Sequence, residues 1–159
     1  MKRSISSLLA SFALLGFALS APATTYSGTG TWKSSDGKAG EYTVGAHIEA
    51  LDEEVSIKQT LDFGNKVLNI NVLIHKIDET FFNVINGDTY EVIGEGYCFP
   101  LGTSDESKIC HSESFTGDDF IEGTIKITPT AIYRIGSKTN ALTGDKVIWK
   151  DLLEPSTQE

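Results

Sequence analysis

The residues whose chemistry stands out lie in GYCFPLGTSDESKICHS, Gly96 to Ser112. This stretch holds Cys98 and Cys110, the two cysteines of the chain, with His111 directly after the second. Two thiols and an imidazole suggest a metal site, a redox pair or a structural clamp. A zinc site takes four ligands, usually from paired short spacings. Only three are present, and neighbouring strand residues point to opposite faces. A redox pair favours Cys-x-x-Cys with a lowered thiol pKa, and the spacing is far wider here. In an oxidising compartment two cysteines most often form one disulfide, and Cys98–Cys110 is assigned that way. Closing a loop of about 13 residues should stabilise by roughly 3 kcal/mol on the chain-entropy account.

A clamp between directly opposed strand residues also fixes a register. It places Tyr97 opposite His111, Glu95 opposite Glu113 and Ile93 opposite Phe115, all on the face away from the disulfide. Gly94, Gly96, Ser112 and Ser114 then share the disulfide face. Like charges directly opposite destabilise a sheet, so Glu95 and Glu113 are solvated, hold a cation or share a proton. Two placements follow for this face: an outer wall in water, or a mixed pocket wall inside. On the second, Ile93, Glu95, Tyr97, His111, Glu113 and Phe115, with Tyr133 from a later strand, are the candidate ligand-binding residues. Tyr97, His111, Glu95 and Glu113 are also the one convergent polar group that an enzyme of cyclase or isomerase type could use. No catalytic residue and no metal ligand is assigned. His47 shares a polar strand face with Glu41 and Glu49, and His75 lies with Asn69 and Asn71. No cofactor is expected, with haem held by a single axial histidine as the alternative. Asp118-Asp119 and Asp52-Glu53-Glu54 read as solvated turns. There is no nucleophile elbow, phosphate loop, His-Glu-x-x-His or calcium loop.

The elements that must position these residues show period-two alternation. Val55, Ile57, Leu61 and Phe63 face one way, against Glu54, Ser56, Lys58, Thr60 and Asp62. Tyr42, Val44, Ala46 and Ile48 alternate with Glu41, Thr43, Gly45 and His47, and Ile121, Ile125 and Ile127 with Glu122, Thr124, Lys126 and Thr128. Such strands are buried on one face, the mark of antiparallel sheet. Turn signals such as Asn86-Gly87-Asp88 and Thr143-Gly144-Asp145 separate the runs. The spacing predicts nine or ten strands, near 26–33, 40–50, 54–63, 66–76, 80–86, 89–99, 108–116, 120–128, 131–137 and 145–150, and no useful helix. Sequential hairpins without a long crossover favour an all-β, antiparallel up-and-down barrel of about 8–10 strands, because closure removes edges. A β-sandwich is the alternative. Gly94 and Gly96 in one strand suggest a bend.

The N-terminus reads MKRSISSLLASFALLGFALSAPA. Lys2 and Arg3, the apolar stretch Leu8 to Leu19 and Ala21-Pro22-Ala23 have the three-part build of a secretory signal peptide, residues 1–23, cleaved between Ala23 and Thr24. The apolar stretch is shorter than the roughly 20 residues a spanning helix needs. Residues 24–153 then form one barrel domain, and 154–159 a frayed polar tail. The 159-residue chain without its first 23 has 136 residues, enough for one core. Removing Lys2 and Arg3 from 13 basic residues leaves 11 against 22 acidic ones, a formal charge of −11. That charge opposes binding to nucleic acid or anionic membrane, and no membrane insertion is expected after cleavage. The protein is placed in the periplasm or outside the cell.

Gly30-Thr31-Trp32 on the first strand resembles the Gly-x-Trp signature of lipocalins and their calycin relatives, over most of the mature chain. The resemblance implies that Trp32 plugs the closed end of a barrel, beside Gly30, under a basic side chain from a late strand. Arg134 and Lys150 are the two candidates, and Arg134 is taken with Gly30 and Trp32 as structural. The second lipocalin signature, Thr-Asp-Tyr, is missing. The expected function is non-enzymatic binding of a small, largely apolar ligand in the barrel cavity. The alternatives are an envelope interaction or inhibitor module, meeting an unknown protein through its acidic surface and the 99–109 loop, and the enzyme above. An open interior would favour the binder. A filled interior with an exposed apolar patch near the loop would favour the interaction module.

Overall fold

A computed structural model describes residues 23–102 and 104–156. The chain forms ten strands: β1 (Thr24–Ser34), β2 (Ala39–Leu51), β3 (Glu54–Asp62), β4 (Val67–Lys76), β5 (Phe81–Asn86), β6 (Val92–Leu101), β7 (Ser104–Thr116), β8 (Asp119–Ile127), β9 (Ile132–Asn140) and β10 (Lys146–Pro155). Each pairs antiparallel with its sequence neighbours, and β1 pairs with β10 from Tyr26↔Pro155 to Ser34↔Val147. The barrel is therefore closed and up-and-down, and the sandwich alternative falls, because two stacked sheets would leave β1 and β10 as edges.

Period-two alternation survives folding almost intact. Tyr42, Val44, Ala46 and Ile48 point inward from β2, Val55, Ile57 and Leu61 from β3, and Leu68, Ile70, Val72 and Ile74 from β4. With Phe82, Val84, Ile121, Ile125, Ile127, Ile132, Trp149 and Leu153 they form one cluster, each residue between 0 and 7% exposed. Burying each such aliphatic side chain stabilises by roughly 1.5–3 kcal/mol. These side chains are closed to water along the inward faces of the strands.

Four boundaries moved by three residues or more. β7 begins at Ser104 and not near 108, so that with β6 running to Leu101 most of the expected 99–109 loop is strand, and β9 runs to Asn140 and not to 137. β10 does not stop near residue 150 but continues to Pro155, since Leu153 is fully buried and Pro155 lies opposite Tyr26. Glu154 and Pro155 are thus strand and not fraying tail, while residues 157–159 lie outside the described residues. β6 starts at Val92, after Tyr90 adopts a left-handed φ of 59°. The proposed signal peptide, apart from Ala23, also falls outside the described residues.

The disulfide links Cys98 and Cys110 with Cα atoms 4.1 Å apart. Its register is the one read from the sequence: Tyr97↔His111, Glu95↔Glu113, Gly96↔Ser112 and Gly94↔Ser114. The inferred Ile93–Phe115 pair does not form. The β6–β7 ladder begins at Gly94, and β5 pairs Val84 with Gly94 but Ile85 with Val92. Ile93 is the extra residue of this bulge, which re-aims side chains. It packs on the core, while Val92 is exposed. Gly96 serves packing as well as bending: a Cβ there would lie 2.2 Å from the Phe82 ring.

Candidate functional site

The face chosen from the sequence is an outer wall. The disulfide, Ser112 and Ser114 occupy the inward face of the β6–β7 hairpin and are buried. Alternation then turns Glu95, Tyr97, Glu113 and Phe115 outward, and they are exposed. His111 is half-buried there, with Nδ1 3.3 Å from Thr124 Oγ1 and Nε2 3.5 Å from Glu113 Oε1. Of the two placements open from the sequence, the outer wall is the one observed, and these candidate ligand-binding residues do not form a mixed pocket wall inside the barrel. The seven candidates also separate. Tyr97, His111 and Glu113 stay together, Ile93 joins the core, and Phe115 meets Phe120 at 4.9 Å between ring centroids. Tyr133 sits on β9, beyond β8. Around Tyr97 lies an apolar patch the sequence did not single out. Its ring is 6.5 Å from Phe81 and 5.5 Å from both Phe99 and His111, and Ile109 lies opposite Phe99.

Glu122, opposite Glu113 on β8, extends the acidic row. It accepts a hydrogen bond from Ser137 Oγ at 2.7 Å, and this bond, with the nearby Lys146 charge, holds its carboxyl below the usual range.

Inside, one polar cluster interrupts the apolar core. Arg134 of β9 lies opposite Asp151 of β10, and their side chains are 2% and 0% exposed. Nε donates to Asp151 Oδ1 at 2.5 Å and Nη2 to Oδ2 at 2.6 Å, a two-pronged pair. Nη1 donates to Gln59 Oε1 at 2.9 Å, on β3. Tyr42 donates its hydroxyl proton to Asp151 Oδ2 at 2.6 Å. Burial first, then the Asp151 charge and this bond, push the Tyr42 phenol well above its ordinary pKa. Gln59 Nε2 is buried with no hydrogen-bond partner among the described residues.

The Gly-x-Trp glycine makes this cluster possible. Gly30 of β1 stands between Tyr42 and Asp151 in the ladder, and a Cβ there would lie 2.3 Å from Tyr42 Cζ. Without that side chain the Tyr42 ring crosses β1 and reaches the carboxylate. Trp32 is half-buried beside Gly40 and lies opposite Trp149. Of the two basic candidates Arg134 faces inward and Lys150 outward.

The same strands carry a groove of about 830 Å³ on their other side. Its wall uses the triplets Thr29–Thr31, Glu41–Thr43, Tyr133–Ile135 and Lys150–Leu152, with Thr124 and Lys126 of β8 at one end and Asp62, Phe63 and Gly64 at the other. In each triplet the middle residue is buried and the outer two are exposed. The apolar floor is Tyr133 at 48%, Ile135 at 61% and Leu152 at 37% exposure. Lys126 lies opposite Tyr133, and Lys150 opposite Ile135. A smaller, polar recess of about 490 Å³ over β1–β4 includes His47, Lys58, Asn69 and Asn71. Among the described residues no group of three or more metal-ligating side chains converges.

Sequence reasoning found Tyr133 of the groove, but not Ile135 or Leu152. Their signal was available: apolar residues at outward positions of late strands. It also missed Asp151, which lay just past the assumed end of the last strand.

The sequence matches no protein-family model and no curated protein. The fold does match. The S-type phycobiliprotein lyase CPES from Guillardia theta superimposes with a TM-score of 0.63 at 10% identity, over 86% of this chain and 89% of the lyase. Rv2717c from M. tuberculosis gives a TM-score of 0.54 at 7% identity, over 84% of this chain and 91% of that one. The chain thus shares the fold of these two proteins, a likeness of fold alone.

Proposed function

We propose that this is an exported, non-enzymatic barrel that binds a small, largely apolar ligand on its outer wall, in the groove across β8, β9, β10, β1 and β2. The carrying observation is an open groove of about 830 Å³ floored by the exposed apolar side chains Tyr133, Ile135 and Leu152. That volume lies in the ordinary range for small-molecule sites, which are concave and mostly apolar with a few placed polar groups. A structural likeness to a lyase says nothing direct about the ligand, and fold alone does not carry function. Export is supported by the N-terminal signal pattern, by the disulfide and by β1 beginning at Thr24, directly after the proposed cleavage point.

The neutral fluorophore phenylnaphthylamine tests the reading. The wild-type protein should bind one equivalent saturably, and Ile135→Asp should weaken binding at least about tenfold, because a carboxylate would sit in the apolar floor. Absence of binding, or equal binding by the variant, would overturn it. A second reading, docking of a protein partner beside the disulfide hairpin, is favoured by the exposed Phe81, Tyr97, Phe99 and Ile109. It predicts a partner whose capture depends on Phe99 and not on Ile135.

A further inference from the structure

We infer that the groove selects an amphiphile with a single anionic head, which Lys126 and Lys150 hold at the β8–β10 end while the apolar body lies over Ile135 and Leu152. This deepens the groove reading and rests on it. The chain is acidic, with 13 basic residues against 22 acidic ones, yet two lysines from β8 and β10 line this groove. Both are exposed, and neither forms an ion pair among the described residues. Lys38, Lys138 and Lys146 pair with Asp36, Asp119 and Glu122; Lys33, Lys58, Lys66 and Lys76 are exposed and, like Lys126 and Lys150, form no ion pair among the described residues, but they do not line this groove.

The register fixes their positions. Lys126 and Lys150 flank β9 from either side, one beside Tyr133 and the other beside Ile135. They therefore stand diagonally across the apolar floor, and a lysine stem is long and flexible enough for both to reach toward a head group lying between them. The groove's carboxylates, Glu41 and Asp62, lie toward β2 and β3. Charge along the groove thus runs from positive to negative. An anionic head is attracted to the β8–β10 end and repelled from the other, so the ligand has one orientation. Lysine suits this task as a compact point charge on an apolar stem, which can cover part of the ligand body. A dianion with charges at both ends would meet Glu41 and Asp62 and is disfavoured.

Two fluorophores with the same ring frame separate this inference from its basis: phenylnaphthylamine, which is neutral, and anilinonaphthalene sulfonate, which carries one negative charge. The sulfonate should bind more tightly, and Lys126→Gln and Lys150→Gln should each weaken it roughly fivefold, the size of a well-placed, partly exposed ion pair. The same substitutions should leave phenylnaphthylamine binding within about twofold. Raising salt to about 1 M, where screening acts over about 3 Å, should weaken the sulfonate selectively. Equal affinity for both probes, or sulfonate binding indifferent to both lysines, would overturn the inference while the groove reading stands. Failure of both probes would overturn the groove reading itself. Sulfonate binding lost in Phe99→Ser but retained in Ile135→Asp would place the anion on the aromatic patch and overturn the inference as well.

Discussion

Four short segments, Thr29–Thr31, Glu41–Thr43, Tyr133–Ile135 and Lys150–Leu152, have two faces with opposite character. Inward they hold Gly30, Tyr42, Arg134 and Asp151, a charged pair sealed from water and tied to two further side chains. Outward they offer Ile135, Leu152, Tyr133 and the lysine Lys150, open to solvent around a groove. The two faces thus separate a cation held by two-pronged bonds from a cation that forms no ion pair among the described residues. The inward charge is committed: removing its partner leaves a buried ion, which is costly. The outward charge is available to a ligand, and its loss leaves the core untouched. Adjacent residues of the same type of chemistry therefore report on different things, Arg134 on stability and Lys150 on binding.

That division is exposed to direct attack. The largest effect is expected from Arg134→Met, which strands Asp151 and leaves Gln59 Oε1 without its donor. Urea unfolding should show a loss of roughly 3–5 kcal/mol. A loss below about 1 kcal/mol would mean that the pair is not the anchor of the inward face.

Tyr42→Phe should cost roughly 1.5–3 kcal/mol at neutral pH, the scale of a hydrogen bond to a charged acceptor. It also has a pH signature. Because the folded phenol has a raised pKa, its contribution is complete below the ordinary phenol value of about 10 and is lost as pH rises above it. The wild-type urea midpoint should therefore fall more steeply above about pH 10 than that of the variant. Parallel curves would remove Tyr42 from the account.

Gly30→Ala should cost about 1–3 kcal/mol, since the new methyl displaces the Tyr42 ring from its path to Asp151. Its thermal midpoint and the Tyr42→Phe midpoint should combine to less than their separate losses, because both act on one contact. The smallest stability effect belongs to the outer face. Ile135→Asp should unfold within about 0.5 kcal/mol of wild type, as an exposed position does, although ligand binding is lost.

Much of this molecule could be read from alternation. The inward faces of β2, β3, β4 and β8, and the register of the disulfide hairpin, follow from residue spacing, because a strand leaves each side chain only two directions. Three things did not follow, each for a physical reason. Whether the Tyr97–His111 face looked in or out depends on which side of the hairpin the barrel closes, and closure is set by β1 meeting β10. Arg134 was marked as a structural basic residue by the Gly-x-Trp resemblance, but its pairing with Asp151 arises only through the β9–β10 register. Gln59 shares a face with Val55, Ile57 and Leu61, so its inward direction was legible, whereas its bond to Arg134 crosses the barrel. The groove is a matter of curvature on the outside of a closed sheet, and no local pattern encodes where that surface becomes concave.

The central claim, that the ligand lies on the outer wall and not within the barrel, is tested most directly by amide chemical-shift mapping during titration with phenylnaphthylamine. The account predicts saturable shifts centred on Tyr133–Ile135 and Lys150–Leu152, with Ile57, Val72 and Ile74 unmoved. Shifts centred on Ile57, Val72 and Ile74, with the groove unmoved, would contradict it.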